Sequence, residues 1–254
     1  MLKKLKVLSL SALLLFATPL TAGVVREDKG DSDWEILFAP YLWMTGIDGV
    51  SQVGILPPMD VEADFGDIVS NLNMALALHT EFHRGKFAFV IDPTYLSLEM
   101  DAAVDGAPVS PSAEVEIWLV EAWAGYKLTP NWELLGGARW QSQDMEVDPG
   151  LPSPPFPEDA SFGVKEDWLD WFLGARFNYP IPNSRWRVVG RGDVSLAGDS
   201  DTNYNLSLFL NRHIRKTMVL NLGYRFMETD YDNFPSYVWD VRQQGFVVGY
   251  TWSF

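Results

Sequence analysis

The sequence predicts an all-β fold, an antiparallel up-and-down transmembrane β-barrel of about ten strands. Three observations lead to this fold class. Apolar side chains recur with a period of two in many segments. Tight turns alternate with longer loops. After its N-terminal segment the chain has no apolar run long enough for a spanning helix, so a chain that enters a membrane must do so as a closed barrel.

The last stretch, 244–254, shows the alternation most clearly. Every second residue is large and apolar: Phe246, Val248, Tyr250, Trp252 and Phe254. The residues between them are small or mixed: Gly245, Val247, Gly249, Thr251 and Ser253. A face with five bulky apolar side chains needs cover, and we expect lipid to supply it. We expect this strand to close the ring by pairing with residues 34–45.

The other strands follow from the same alternation. We expect them at 34–45, 73–84, 87–101, 114–126, 132–146, 167–179, 186–197, 204–213 and 218–231. The alternation changes at the end of the third strand, which predicts a bulge near Pro93. Eight or twelve strands would also suit the pattern, because the loop at 46–72 could contain a hairpin over 50–63 and a helical turn at 67–71.

The connections differ in length at the two ends of the strands. Tight turns fall at 84–86, 129–131, 182–184 and 215–216, and longer loops at 46–72, 102–113, 147–164 and 232–237, with 198–201 a short exception. Aromatic residues cluster near the turn-side ends: Trp34, Tyr126, Trp132, Tyr179, Trp186, Tyr250 and Trp252. This placement is typical of a girdle at a membrane interface.

Composition excludes some classes of function. The chain has 34 acidic and 19 basic residues and a formal net charge of -15, so we expect no nucleic-acid partner. It has no cysteine, so disulfides cannot stabilise it. Closure of a barrel, which removes every free strand edge, would stabilise it instead.

Two segments resemble known proteins. The closing strand is similar to the C-terminal signature of Gram-negative outer-membrane β-barrels, which the barrel-assembly machinery recognises through residues such as Phe246, Val248, Tyr250, Trp252 and Phe254. Residues 39–98 contain an APYLW strand, a G-x-D-G loop, an F-x-D-I-x-x-N-L segment and a D-x-x-Y-L strand. This pattern resembles a family of small, mostly uncharacterised proteobacterial outer-membrane proteins. The resemblance implies a barrel in the outer membrane and no established reaction.

The chain is expected to have three parts. Residues 1–22 read as a secretory signal peptide, with Lys3, Lys4 and Lys6 before an apolar stretch that is shorter than a membrane anchor needs. Residues 23–33 form a polar periplasmic lead-in, and residues 34–254 form the barrel. We expect a monomer whose partners are outer-membrane lipid, lipopolysaccharide and the barrel-assembly machinery.

The inward face of the predicted barrel carries charges of both signs. They are His79, Glu81, Asp92, Glu121, Arg139, Asp170, Arg176, Arg187, Arg191, Asp193 and Arg225. In a barrel of this size such charges pair with one another and fill the lumen, so we expect a structural barrel of the cell envelope. A narrow channel for small solutes is the alternative, and its arginines would favour anions.

An enzyme acting on lipid or peptide at the rim is the third possibility. The chain has three histidines, and His79 with Glu81 or Asp92 would be the only local acid–base pair. The sequence has no serine elbow, paired-metal histidine spacing or phosphate loop. We therefore expect no catalytic residues, no metal site and no cofactor. The carboxylates of the loops could bind Ca²⁺, but solvated surface is the favoured interpretation.

Overall fold

The chain forms a closed antiparallel β-barrel of ten strands. The computed structural model describes residues 34–53, 58–101, 112–148 and 162–254. The predicted signal peptide and lead-in, residues 1–33, lie outside these ranges. None of the helices in the described ranges has the length and apolar character to span a membrane.

Eleven strands and one short helix make up the described chain. They are β1 (Glu35–Val53), β2 (Met59–Ala63), α1 (Phe65–Ser70), β3 (Leu72–Arg84), β4 (Phe87–Asp101), β5 (Ser112–Lys127), β6 (Trp132–Asp148), β7 (Phe162–Pro180), β8 (Trp186–Gly198), β9 (Thr202–Arg215), β10 (Met218–Asn233) and β11 (Tyr237–Ser253). Strand β2 pairs only with β1, so the wall of the barrel consists of β1 and β3–β11.

The ring closes where the sequence predicted. Consecutive strands from β3 to β11 are neighbours, and β11 pairs with β1, with Phe38 opposite Trp252 and Met44 opposite Phe246. The two faces of β11 also differ as expected, since Phe246 is exposed on the outside and Val247 is buried inside. The predicted pairing of the last strand with the first is therefore confirmed.

The strands extend further at the loop side than the alternation indicated. Strand β1 continues to Val53 and pairs with β2, and α1 follows β2 closely, so the described residues of the predicted loop at 46–72 are mostly strand and helix. Asp64 caps the helix: its side chain accepts from the backbone N–H of Asp67, and the Asp67 side chain accepts from the N–H of Asp64. The hairpin and the helical turn considered for this segment both exist, with shifted bounds.

The expected bulge near Pro93 is wrong. Strands β4 and β5 keep one register through the pair Pro93 and Val120, and the irregularity lies on β3, between Leu72 and Met74. The sequence pattern misled because Leu96 and Leu98 are apolar although they lie on the inner face. Both side chains contact the apolar part of the lumen, which explains why apolar residues occupy inward positions here. The alternation of inward and outward side chains continues along β4 without a bulge.

The two ends of the barrel differ. Short turns at residues 85–86, 128–131, 181–185 and 216–217 join strands at one end, where β1 begins and β11 finishes; we call it the turn end, and the opposite end the loop end. Exposed aromatic side chains surround the turn end, where Trp132 Nε1 donates to the Tyr179 hydroxyl at 2.7 Å. The predicted aromatic girdle occupies this position.

Closure of the ring should depend on Gly245. A Cβ atom at this position would overlap the carbonyl oxygen of Met44 on the closing strand β1. We predict that Gly245→Val lowers the fraction of folded barrel, measured as heat-modifiable migration on a gel. The control is Gly136→Ala, whose added Cβ would lie 3.4 Å from Leu173 Cδ1, an ordinary contact. Equal folding of both variants would contradict the closure described here.

Candidate functional site

The middle of the lumen is filled by a buried charge network centred on Glu121 of β5. We call the side chains of Glu121, Arg139, Arg191, Asp193 and Arg225 the central network. Arg139 has no exposed surface and Glu121 is 1% exposed. Alternation places these side chains inward, because each strand turns every second residue toward the lumen. Side chains from four strands, β5, β6, β8 and β10, meet at the carboxylate of Glu121.

Arg139 makes the shortest contacts of the central network. Its Nε and Nη2 atoms donate to Glu121 Oε1 at 2.7 and 2.5 Å. Nη2 also donates to Asp193 Oδ1 at 2.6 Å, and Nη1 donates to Asn203 Oδ1 at 2.6 Å. The guanidinium thus ties β6 to β5, β8 and β9 across the lumen with charge-assisted hydrogen bonds.

Two further guanidinium groups reach the same carboxylate. Arg191 Nη1 donates to Glu121 Oε2 at 3.0 Å, and its Nε atom lies 2.8 Å from Asp193 Oδ2. Arg225 Nη2 lies 3.2 Å from Glu121 Oε2, and its Nε donates to Asn205 Oδ1 at 2.9 Å. Each carboxylate therefore has cationic partners on both oxygens, which offsets the cost of burying these charges.

Aromatic rings cover the cations of the lumen. Arg139 and Arg191 stack on Phe172, with the guanidinium carbon 5.0 and 5.3 Å from the ring centroid. Arg225 lies 4.8 Å from the ring centroid of Trp43, a cation–π contact that also excludes water. Guanidinium groups held by both a carboxylate and a ring cannot move aside without losing both contacts.

Asp170 extends the network toward the loop end. It is fully buried and accepts hydrogen bonds from Asn203 Nδ2 at 2.7 Å and from the Ser200 hydroxyl at 2.8 Å. Asn203 in turn accepts from Arg139. Asp170 is thus linked to the central network through an amide.

A second group of charges lies nearer the turn end, around His79. Its two ring nitrogens lie 2.8 Å from Asp92 Oδ2 and 2.8 Å from Glu81 Oε1. Tyr41 donates to Asp92 Oδ1 at 2.8 Å, and Arg176 donates to Glu81 Oε1 at 2.7 Å. An imidazole between two carboxylates donates from both nitrogens only when it is protonated, so this arrangement holds charge in place and leaves neither nitrogen to act as a base.

The loop end of the lumen contains a large apolar cluster. Its buried cluster consists of Ile47, Ile68, Leu98, Trp168, Tyr231, Tyr237, Trp239 and Val241. Trp168 and Tyr231 stack at 4.5 Å between ring centroids. We call this group the apolar cap. It lies on the loop side of the central network, so a buried ionic layer and a buried apolar layer follow each other along the axis.

The turn end is open. A cavity of about 880 Å³, which we call the vestibule, extends from the turns to His79 and Arg176. Its basic lining residues are Lys127, Arg176, Arg185, Arg187 and Lys216, and its carboxylates are Glu35, Glu81 and Glu133. Arg176 donates to both Glu81 and Glu133. The vestibule therefore carries more basic than acidic side chains although the chain as a whole is acidic.

The structure places all eleven predicted lumen residues on inward faces, but not in one site. Arg139, Glu121, Arg191, Asp193 and Arg225 form the central network. The others lie on either side of it, and Arg187 lies apart in the vestibule, where its Nε donates to Asn178 Oδ1 at 2.7 Å.

Sequence reasoning missed several uncharged or peripheral partners. These are Tyr41, Glu133, Asn203 and Asn205. All four lie in the inward phase of their strands, so the period of two already contained the signal. They were missed because only charged residues near the strand centres were selected. Among the described residues no group of three His, Asp or Glu side chains is arranged to hold a metal ion.

Loss of the central carboxylate should be costly. We predict that Glu121→Ala lowers the free energy of unfolding by about 3–5 kcal/mol, because it leaves three buried guanidinium groups without their shared partner. Denaturant unfolding in lipid or detergent measures the change. Lys165→Ala is the control: the side chains of its Lys165–Asp144 ion pair are 67% and 42% exposed, so we expect a change below about 1 kcal/mol. Similar losses in the two variants would contradict the role given to Glu121.

Comparison with known proteins supports the fold. No family model and no curated protein matches the chain. Among solved structures, the outer-membrane protease OmpT from Escherichia coli is similar over 87% of this chain and 97% of its own, with a TM-score of 0.56 and 10% identity. The Ail protein of Yersinia pestis covers 88% of this chain and 99% of its own, with a TM-score of 0.38 and 7% identity.

Neisserial surface protein A has a TM-score of 0.34 and 12% identity, covering 87% of this chain and 97% of its own. Identities this low show the fold alone. They do not decide whether this chain is an enzyme. The chain thus has the closed antiparallel β-barrel fold that is also found in a Gram-negative outer-membrane protein.

Proposed function

We propose that the protein is a structural barrel of the outer membrane, with a charge-filled lumen that does not conduct. One observation carries the proposal: Arg139 joins Glu121, Asp193 and Asn203 across the lumen and has no exposed surface. An ion or solute would have to break these contacts to pass. That would leave buried charges without partners, which is expensive in a low-dielectric interior.

The apolar cap supports the same proposal. Beyond the central network a solute would meet Trp168, Tyr231 and Tyr237, whose rings are packed against one another. Two successive layers, one ionic and one apolar, must open together before the lumen becomes continuous. A hydrated ion gains nothing from the apolar layer to offset the loss of its water.

A solute-binding role is the second candidate, and the vestibule favours it. Its excess of basic over acidic side chains suits a small anion, and guanidinium groups match carboxylate or phosphate geometry. Short turns face the periplasm in barrels of this kind, so such a solute would enter from the periplasm. The central network would stop the solute, so in this second candidate function the barrel binds a small anion but does not let it pass.

We propose no reaction for this barrel. His79 lies between two carboxylates, and His83 and His213 line the vestibule near the turns. The three histidines of the chain thus lie away from the loop end, where a rim enzyme would meet lipid or peptide outside the cell. The protease activity named for OmpT has no support here beyond the shared fold.

The proposed partners follow from the outer surface. The lipid-facing belt includes Phe89, Ile91, Leu173, Leu208 and Phe246, all exposed on the outside. We propose that outer-membrane lipid and lipopolysaccharide cover this belt, and that the barrel-assembly machinery reads the aromatic end of β11. We propose that the protein acts as a monomer. Its net charge of -15 argues against a nucleic-acid partner.

Planar-bilayer recordings test the closed lumen. We predict no discrete current steps for the wild type, because the central network and the apolar cap are both packed. A reproducible, salt-dependent step that is reduced in Arg139→Ala or Arg191→Ala would contradict the proposal and favour an anion conduit. Lys165→Ala, which changes an exposed pair at the loop end, is the control for effects of charge alone.

The enzyme alternative has its own measurement. Overexpression of the protein should leave the lipid A of the host and a panel of peptide substrates unchanged. A modified lipid or a cleaved peptide that disappears in a His79→Ala variant would overturn the proposal.

A further inference from the structure

The barrel is closed, but the ladder between β1 and β3 covers only part of the length of these strands. Strands β1 and β3 pair from Glu35 opposite His83 to Pro40 opposite Leu78, and no ladder pair joins residues 41–46 to residues 72–77 in the described part of the chain. Both segments remain paired on their other edges, β1 with β11 and β3 with β4. A notch therefore opens between two otherwise well-paired strands on the loop side of Pro40.

The chain itself explains the notch. Proline has no N–H to donate, and Pro40 is the last residue of β1 in the ladder to β3. From Ile47 onward β2 occupies that edge of β1. Helix α1 then separates β2 from β3; its Ile68 is buried in the apolar cap, and the carbonyl of Asn71 accepts from the N–H of Glu99 on β4. These contacts hold the start of β3 away from β1.

The notch exposes a side chain that should be covered. Leu72 is opposite Leu98 on β4, so both lie on the inner face. Leu98 is 7% exposed and Leu72 is 37% exposed. Ala75, which also lies in the inward phase, is exposed as well. In a closed wall β1 would cover both residues.

The rim of the notch is apolar and continuous with the lipid-facing belt. Its exposed side chains are Leu42 of β1, Val69 of α1, and Met74 and Leu76 of β3. The notch lies near the outer limit of the belt. Leu76 is opposite Tyr95, whose ring packs against Trp118 in a tilted contact, and Glu99 and Glu116 follow on the loop side. Aromatic rings followed by charges are typical of the outer membrane interface.

Two kinds of surface thus meet in the notch. The apolar side chains of the rim are suited to contact with an acyl chain. The facing edges of β1 and β3 carry backbone N–H and C=O groups with no ladder partner, and such edges are not stable against hydrocarbon alone. A suitable occupant must bring both hydrocarbon and hydrogen-bonding groups to the interface. Lipopolysaccharide does so, since its acyl chains join the sugar through amide and ester groups in the outer leaflet.

We propose that the notch between β1 and β3 is a docking site for one lipopolysaccharide molecule. An acyl chain lies on Leu42, Leu72 and Met74, and the amide or ester groups at its head pair with the open edges at residues 41–46 and 72–77. Over their described residues, β4 and β5, β5 and β6, β6 and β7, and β10 and β11 pair without such an opening.

Photo-crosslinking in the outer membrane of living cells tests the occupant. p-Benzoylphenylalanine placed at Ala75, which lies in the inward phase beside the notch, should form a covalent adduct with lipopolysaccharide on irradiation. The same group at the inward Val189, which lines the vestibule inside the paired wall of β7, β8 and β9, should form none. At the outward Leu76 it should react as a positive control. An adduct at Leu76 without one at Ala75, or an adduct at Ala75 with the mass of a phospholipid, would overturn the proposal.

Disulfide trapping tests the opening itself, and the absence of native cysteine gives a clean background. Leu42→Cys with Leu76→Cys joins positions that would be opposite each other if the ladder continued. Ile36→Cys with Phe82→Cys joins positions that are opposite each other in the closed part. We expect the control pair to oxidise readily in the membrane and the notch pair at least tenfold less. Equal cross-linking of the two pairs would mean that the wall is closed, and the docking site would not exist.

Discussion

The buried carboxylate of Glu121 holds three guanidinium groups that come from three other strands, and the rest of the lumen is arranged around it. Removal of Glu121 would leave these three buried guanidinium groups without their shared carboxylate, so the members stabilise one another. Asp193, Asn203 and Asn205 complete the hydrogen bonds of the arginines, and Phe172 and Trp43 cover their faces. This barrel, which has no disulfides, is thus stabilised by ion pairs and hydrogen bonds across its interior as well as by the backbone ladders of its wall.

The lumen changes character along its axis. The vestibule at the turn end is open and rich in basic side chains, the central network is ionic and closed, and the apolar cap at the loop end packs like the core of a soluble protein. This order separates two possible surfaces for interaction. Solutes from the periplasm could reach only the vestibule, whereas molecules of the outer leaflet could reach only the wall, including the notch beside Pro40.

Much of the fold could be predicted from the sequence because a barrel wall repeats one simple rule. The period of two identified ten strands, the closing pair and the inward charges such as Glu121 and Arg139. The rule failed where its assumption of a polar lumen failed: Leu96 and Leu98 looked like a break in the pattern because they face the apolar cap. Which arginine meets which carboxylate depends on strand stagger and on contacts across the lumen, which a single sequence does not encode locally. The notch depends on where β2 and α1 lie, and Pro40 was its only local sign.

The claim that the central network closes the barrel is tested most directly by access to Val189, which lines the cavities on the turn side of that network. In oriented proteoliposomes, a Val189→Cys variant would be treated with a membrane-impermeant thiol reagent from one side at a time. The structure predicts labelling from the turn end and none from the loop end. Labelling from the loop end would show a continuous path through the lumen and would contradict a closed barrel.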